Sequence, residues 1–230
     1  MSDRAARQVA IVDYGMGNLF SVQKACEQVG LHASITNSKH EILAASAVIL
    51  PGVGAFGVAM ETLTKLDLIE PLRDVAASQT LLIGICLGMQ LLMTESHEFG
   101  KHEGLGIIEG EVVRLQNPVQ RSHGLKIPQV GWNQIHSIDR SSRNERLATS
   151  VSSWKGTLLD GIHDGEFMYF VHSFYCRPVD SSVVLSTTRF GALEFCSTFR
   201  RGHTIGFQFH PERSGPEGLR LYRNLSTLIS

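Results

Sequence analysis

The stretch Leu82-Ile83-Gly84-Ile85-Cys86-Leu87-Gly88-Met89-Gln90 sets both the architecture and the chemistry expected of this chain. The apolar run from Thr80 to Ile85 predicts a buried strand, and a helix is expected to begin near Leu87. The cysteine between them occupies the sharp turn of a nucleophile elbow, where close backbone approach requires glycine on both sides. A helix N-terminus beneath the sulfur favours the thiolate, the form that attacks carbonyl carbon. The pattern therefore predicts covalent acyl transfer through Cys86.

Composition is that of an ordinary globular protein. The chain has 230 residues, 43% of them apolar and 19% charged, with a formal net charge of −1. This balance predicts no nucleic-acid partner, and no apolar run suggests a membrane span or a secretory signal. Four widely spaced cysteines favour reduced thiols in a cytoplasmic setting over a disulfide framework. With no metal-ligand pattern and no nucleotide fingerprint, neither a metal nor a cofactor is expected.

The first half of the chain alternates strand and helix signals. Strands are predicted at Gln8–Val12, Ala33–Thr36 and Ala47–Leu50, and helical segments are expected to fill Phe56–Ala77. Helix starts are signalled by Asn18, as a capping residue, and by the capping box Ser38-Lys39-His40-Glu41. Such repeats imply an α/β fold, flavodoxin-like, with an open, mostly parallel sheet and helices on both faces. Ligands of such sheets bind beyond the carboxyl ends of the strands, where Cys86 falls.

The second half is rich in strands. They are spaced like hairpins and are expected to extend the same sheet as antiparallel strands: Ile107–Leu115, Phe167–Val171, Val183–Thr187, Ala192–Phe199 and Thr204–Phe209. A closing helix is predicted over Glu217–Ile229. With no repeat and no clear linker, residues 1–230 are expected to form a single domain, with 1–7 as a disordered N-terminal extension.

A cysteine nucleophile needs a base and a group that orients the base. His210-Pro211-Glu212 offers both, because side chains two apart on an extended segment point the same way. Glu212 would fix the imidazole tautomer and stabilise its protonated form. On its own, this motif is also compatible with a surface turn. Together with the elbow at Cys86, it indicates a catalytic triad.

During acyl transfer, the carbonyl oxygen of the substrate gains negative charge. Preorganised backbone N–H donors are needed to stabilise that charge. The amide of Leu87 is one candidate, and the loop Pro51–Phe56, through Gly52 and Val53, is the other. A simple strand-to-helix turn remains an alternative for this glycine-containing loop. Cys26, Cys176 and Cys196 fit small core residues better than reactive thiols. His97 and His102 flank Glu98, but a solvated loop is favoured over a metal site.

Three motifs together resemble the class I (triad) glutamine amidotransferases: Pro51-Gly52-Val53-Gly54, the elbow, and His210-Pro211-Glu212. Within that family, four further segments resemble the glutaminase subunits of imidazole glycerol phosphate synthase: Asp13–Leu19, Gly57, Gly131–Asn133 and Tyr169–Tyr175. The resemblance runs from about Val9 to about Leu228.

The resemblance implies that Cys86 attacks the side-chain amide of glutamine and that His210 protonates the leaving ammonia. It assigns Gln90 and Glu98 to the glutamine-binding site, together with His172 and Ser173. It also implies rotation of the Gly52–Val53 peptide to complete the oxyanion hole when a partner is engaged.

The implied partner is a cyclase subunit with a (β/α)8 barrel, in a heterodimer that makes imidazole glycerol phosphate in histidine biosynthesis. The ammonia would pass to this subunit. The sequence carries no phosphate-binding glycine-rich loop and no nucleotide fingerprint, so the site that uses the ammonia is expected to lie elsewhere. Two stretches are longer than the fold requires, Gln120–Ile127 and Ser137–Trp154, in the part of the chain that contributes to the partner-facing rim.

Three other readings remain open at this point. One is the glutaminase subunit of another ammonia-channelling synthase, such as pyridoxal phosphate synthase, which Asp13–Leu19 and Gly131–Asn133 disfavour. Another is a cysteine peptidase or deglycase of related architecture, which fits His210, Glu212 and Gln90 less well. The last is a non-catalytic regulator, which has no need of an intact Cys-His-Glu set.

Overall fold

The computed structural model describes residues 8–116, 126–138 and 154–229. The N-terminal extension expected at 1–7 lies outside the described residues, as do 120–125 of the first long stretch and 139–153 of the second. The expectation of a single domain stays a prediction. No helix in the described parts of the chain is long and apolar enough to cross a membrane.

The strands, in chain order, are β1 (Gln8–Val12), β2 (His32–Thr36), β3 (Ala47–Gly52), β4 (Leu81–Cys86), β5 (Met93–Ser96), β6 (His102–Glu103), β7 (Ile108–Arg114), β8 (Gln129–Ser137), β9 (Glu166–His172), β10 (Phe174–Pro178), β11 (Val184–Phe190), β12 (Leu193–Arg201) and β13 (Thr204–Phe207). The helices are α1 (Leu19–Gln28), α2 (Lys39–Ala44), α3 (Phe56–Lys65), α4 (Ile69–Ala77), α5 (Leu87–Leu91) and α6 (Gly215–Leu228). Short 3-10 turns lie at Ser181–Val183 and Pro211–Arg213.

A nine-stranded sheet forms the centre of the fold, in the order β2-β1-β3-β4-β13-β12-β11-β8-β9. The neighbours from β2 to β13 pair in parallel, and those from β13 to β9 pair antiparallel. β13 therefore belongs to both halves, because it is antiparallel to β12 but parallel to β4. This placement brings the segment after β13 beside the elbow that follows β4.

The strand predicted at Ile107–Leu115 does not extend this sheet, and that part of the expectation is wrong. β7 lies in a second sheet of four strands, in the order β10-β7-β5-β6. It pairs antiparallel with β10 and parallel with β5. Its inward residues Ile108 and Val112 are buried in the same apolar cluster as Leu91 and Met93, which directly follow the elbow. The short α5 thus directs the chain away from the main sheet.

Apolar residues cover both faces of the parallel half. On β1, Val9 and Ile11 join one buried cluster, which includes residues of α1 and α6. Ala10 and Val12 join another cluster on the opposite face, which includes residues of α2, α3 and α4. This arrangement confirms the predicted sheet with helices on both sides.

The two helix-start predictions have different outcomes. Ser38 precedes α2, and its Oγ accepts a hydrogen bond from the Glu41 N–H at 3.4 Å, which is one of the two bonds of a capping box. The Ser38 N–H donates to Oγ1 of Thr36 and not to the Glu41 side chain. Asn18 lies at the cap position of α1, but its side chain makes no capping hydrogen bond, so that prediction is wrong. Its φ and ψ of −90° and 63° differ from the extended conformation usual for a capping residue.

Candidate active site

Cys86 is the last residue of β4 and has a φ of +54°. Residues with a Cβ rarely adopt this conformation, and it is a mark of the nucleophile elbow. The two flanking glycines are sterically required. A Cβ on Gly88 would lie 1.7 Å from the carbonyl oxygen of Leu50, and one on Gly84 would lie 2.7 Å from the Cα of Met89. The glycine argument made from the sequence therefore holds in the structure.

His210 and Glu212 are in direct contact. Nδ1 of His210 lies 2.8 Å from Oε1 of Glu212, and the two side chains are only 4% and 1% exposed. The path of the chain differs from the extended segment predicted: β13 ends at Phe207, and Glu212 lies in the 3-10 turn Pro211–Arg213. The turn brings the carboxylate back towards the imidazole, so the contact forms by a different local geometry.

The charge state of His210 suits a proton donor beside Cys86. Burial acts to lower its pKa, but the neighbouring Cys86 sulfur and the Glu212 carboxylate outweigh burial and raise the pKa to about 10. Nε2 of His210 has no hydrogen-bond partner of good geometry among the described residues. The imidazole is therefore held protonated, with Nε2 available to a group beside Cys86.

Gln208 also lies at this site, although its role was not predicted from the sequence. It is fully buried, its Nε2 lies 3.8 Å from the sulfur of Cys86, and its Oε1 accepts a hydrogen bond from Gln90 at 3.2 Å. A signal for it was present, because Gln208 is a polar residue in an apolar run, two positions before His210. That spacing places both side chains on one side of an extended segment.

The carbonyl oxygen of Phe174 organises two of the predicted binding residues. It accepts hydrogen bonds from Nε2 of Gln90 at 3.0 Å and from Nδ1 of His172 at 2.8 Å. Burial lowers the pKa of His172 to about 4, and the nearby positive charge of His210 acts in the same direction. His172 is therefore neutral, with Nδ1 as its donor and a buried Nε2 that has no partner in the described structure.

A cavity of about 250 Å³ opens at the carboxyl ends of the strands above Cys86. Seven of the residues predicted from the sequence line it: Val53, Cys86, Leu87, Gln90, Glu98, His172 and Ser173. Gly52 lies opposite Cys86 in the β3–β4 ladder. The carboxylate of Glu98 accepts a hydrogen bond from the backbone N–H of Phe56, the first residue of α3, so one of its oxygens is already engaged.

A second group of titratable residues lies on the four-stranded sheet. Ligand-type atoms of Glu95, His97 and Glu111 lie within 4.8 Å of one another. Lys101 forms an ion pair with Glu95, and Arg177 forms one with Glu111. The carboxylates are thus neutralised by cationic side chains, as in a surface ion-pair network. The other three cysteines are buried, and burial raises the pKa of each thiol.

Comparison with known proteins shows the family of this chain. A family model described as "Glutamine amidotransferase class-I" matches residues 10–227. A protein of Moorella thermoacetica named "Imidazole glycerol phosphate synthase subunit HisH" is 44% identical over 223 residues, which cover 97% of this chain and 96% of that protein. A protein of the same name from Rhodopirellula baltica is 43% identical over 95% of this chain and 97% of its own length.

The chain belongs to the HisH family of class I glutamine amidotransferases.

Solved structures confirm the amidotransferase fold. A structure described as "Crystal structure of glutamine amidotransferase" superposes with a TM-score of 0.67 at 20% identity and covers 96% of this chain and 98% of that one. The glutaminase domain of Trypanosoma brucei CTPS superposes with a TM-score of 0.64 at 13% identity, over 97% of this chain and 93% of that one. At such identities these likenesses show the fold. The HisH family is established by the full-length relatives.

Proposed function

We infer that this chain is the glutaminase subunit of an imidazole glycerol phosphate synthase. The observation that carries the inference is Cys86 at the wall of the cavity, with the hydrogen-bonded pair His210 and Glu212 behind it and outside the cavity lining, in a chain that aligns with HisH proteins over 95–97% of its length. The relatives reported above carry the HisH name, so the alternative of a pyridoxal phosphate synthase subunit is not favoured.

In the proposed acylation step, the Cys86 thiolate attacks the side-chain carbonyl carbon of glutamine. The carbonyl electrons move to oxygen, which is stabilised by the N–H of Leu87 and by the Gly52–Val53 peptide. The C–N bond then breaks, and His210 gives its proton to the leaving nitrogen, so that ammonia departs and a glutamyl thioester remains. The raised pKa of His210 supports this role, because it keeps the donor proton on the imidazole at neutral pH.

In the proposed deacylation step, the neutral imidazole of His210 accepts a proton from water. The resulting hydroxide attacks the thioester carbon, the C–S bond breaks, and glutamate leaves while the Cys86 thiolate returns. Gln90, Glu98, His172 and Ser173 are proposed to hold the amino-acid end of glutamine, since they line the same cavity.

The partner is proposed to dock on a surface that we call the β8–β9 face, formed by Val130, Trp132, Phe167, Tyr169 and Val171. Register places Val130 opposite Val171 and Trp132 opposite Tyr169, so these side chains share one side of the sheet. Val130, Trp132 and Phe167 are 60%, 55% and 49% exposed, unusual for large apolar residues that lie together. Val171 also lines the cavity, so the face is continuous with the active-site mouth. A cyclase seated there would receive ammonia directly.

The glutaminase role is tested by measuring glutamate release in the presence of the cyclase subunit and its nucleotide substrate. Wild-type chain should release glutamate much faster with these additions than alone, and Cys86→Ala should release none. Cys196→Ala is the matched control, since it removes a buried thiol from β12 and should retain activity. Undiminished glutamate release by Cys86→Ala would refute the assignment.

Docking is tested by binding of the cyclase subunit to variants of the β8–β9 face. Trp132→Ala should weaken binding at least tenfold, because a large aromatic side chain at the centre of an interface contributes on the order of 2 kcal/mol. Leu43→Ala is the control: this leucine of α2 is also exposed, at 49%, but lies outside the face. Equal binding by both variants would exclude this surface.

A further inference from the structure

The segment Asp13-Tyr14-Gly15-Met16-Gly17-Asn18, between β1 and α1, covers the loop that carries Gly52 and Val53. A Cβ placed on Gly17 would lie 3.5 Å from the backbone of Gly52, and one on Gly54 would lie 2.5 Å from the Cε of Met16. Because the two loops touch along their length, the first restricts what the second can do. The catalytic steps proposed above assign no role to this segment.

Tyr14 makes the polar contact between the loops. Its side chain is 1% exposed, and its hydroxyl donates a hydrogen bond to the carbonyl oxygen of Pro51 at 2.7 Å. Burial, together with the charge on Cys86, raises the pKa of the phenol, so the hydroxyl keeps its proton and remains a donor. The hydrogen bond is thus present across the pH range in which a glutaminase works.

The hydrogen bond fixes a whole peptide group. The carbonyl of Pro51 and the N–H of Gly52 belong to one planar unit, so holding the oxygen also holds the direction of that N–H. The Cα of Gly52 is enclosed as well: a Cβ there would lie 2.3 Å from the Tyr14 oxygen and 3.0 Å from the Cβ of Leu87. Gly52 is therefore clamped between the phenol and the elbow.

We propose that Tyr14 is a positioning residue, whose hydroxyl holds the Pro51–Gly52 peptide so that only the following Gly52–Val53 peptide turns to present its N–H to the oxyanion. A peptide plane turns through paired changes in ψ of Gly52 and φ of Val53, and it needs fixed groups on either side to reach a defined end point. Tyr14 supplies the fixed group on the N-terminal side. The inference rests on the proposed glutaminase function and adds a determinant of its oxyanion hole.

Tyr14→Phe tests the proposal, because it removes the hydroxyl and keeps the ring. In the complex with the cyclase subunit we expect kcat for glutamine hydrolysis to fall about tenfold, with KM changed less than about twofold. Alkylation of Cys86 by iodoacetamide needs no oxyanion hole and should keep its wild-type rate. Tyr175→Phe, on β10, is the matched control and should leave both rates unchanged.

A second readout is independent of activity. Backbone amide resonances of Gly52 and Val53 in the full-length free chain should broaden or double in Tyr14→Phe and stay as in wild type in Tyr175→Phe. Wild-type resonances in Tyr14→Phe overturn the proposal, and so does an unchanged kcat. A slower alkylation of Cys86 also overturns it, because the defect would then lie in the nucleophile. If the wild-type complex hydrolyses no glutamine, the proposed function fails, and the resonances alone decide the role of Tyr14.

Discussion

Nε2 of Gln208 lies 3.8 Å from the sulfur of Cys86, within hydrogen-bonding distance for a sulfur acceptor. The same side chain accepts a hydrogen bond from Gln90, which lines the cavity, so one buried amide connects Cys86 to Gln90 at the cavity wall. A neutral donor at this position stabilises negative charge on sulfur without adding a competing charge.

Gln208→Met should reduce kcat for glutamine hydrolysis about tenfold, because methionine matches the side-chain length but donates no hydrogen bond to a charged sulfur. Steady-state kinetics in the complex measures the change. Gln23→Met is the control, since Gln23 on α1 also donates from Nε2, to the carbonyl of Ala33, but lies outside the cavity. Equal kcat values for the two variants would show that Gln208 serves only the fold.

His210→Asn should slow the alkylation of Cys86 by iodoacetamide at pH 7 about tenfold. Wild-type His210, with its pKa raised to about 10, is positively charged at that pH and favours the thiolate beside it. Asparagine keeps a polar group but carries no charge. The rate is followed by mass spectrometry of the intact chain. An alkylation rate equal to wild type would show that the charge on His210 does not activate Cys86.

Gly88→Ala should destabilise the fold by about 3 kcal/mol or more, because the new Cβ would strike the backbone oxygen of Leu50 in the neighbouring strand. Gly30→Ala is the comparison. Gly30 has a φ of +82° but no atom within 4 Å of the added Cβ, so its cost should be that of backbone strain, about 1 kcal/mol. Urea unfolding of both variants distinguishes the steric clash at Gly88 from the backbone strain at Gly30. Similar losses in the free energy of unfolding would argue against a sterically closed elbow.

His172→Asn should flatten the loss of stability on acidification. The folded pKa of about 4 lies below the ordinary value of 6.5, so the unfolded chain takes up this proton first as the pH falls. The contribution of His172 is therefore complete above pH 6.5 and is lost as the pH falls towards 4. Between pH 7 and 5 it amounts to about 2 kcal/mol. Urea unfolding at pH 7 and pH 5 measures this contribution. If the variant loses as much unfolding free energy between the two pH values as the wild type, His172 does not have the lowered pKa.

Local pattern was enough to predict the parallel half of the sheet. The strand at Gln8–Val12 is confirmed, and β3 and β4 differ from their predictions only at their ends. Each is a short apolar run followed by a turn, and such runs are buried wherever helices cover both faces. The approach of Cys86 to His210 could also be predicted from the sequence pattern, because Cys86 ends a strand, His210 follows one, and ligand sites lie at the carboxyl ends of parallel strands.

The pairing of strands that are distant in the sequence could not be predicted from the local sequence pattern. β5, β6 and β10 are short, and β7 alternates as any half-buried strand does, so nothing local shows that these four form a sheet of their own. The engagement of Glu98 with the N–H of Phe56 has the same origin, because 42 positions separate the two residues. Gln208 was a different case, since its spacing from His210 was visible but its contact with Cys86 depends on the β13–β4 pairing.

Gly52 lies opposite Cys86 in the β3–β4 ladder, so the proposed oxyanion hole depends on the register in which these two strands pair. A one-residue slip of β3 that set Pro51 opposite the cysteine would displace the Gly52–Val53 peptide, and with it the Val53 N–H, by one position from the oxyanion it is proposed to stabilise. Molecules with this misaligned pairing would keep much of their secondary structure and yet would not hydrolyse glutamine. The fraction of active molecules in a preparation therefore measures the fraction with correctly paired strands. Circular dichroism would overestimate that fraction, because it reports only the secondary-structure content.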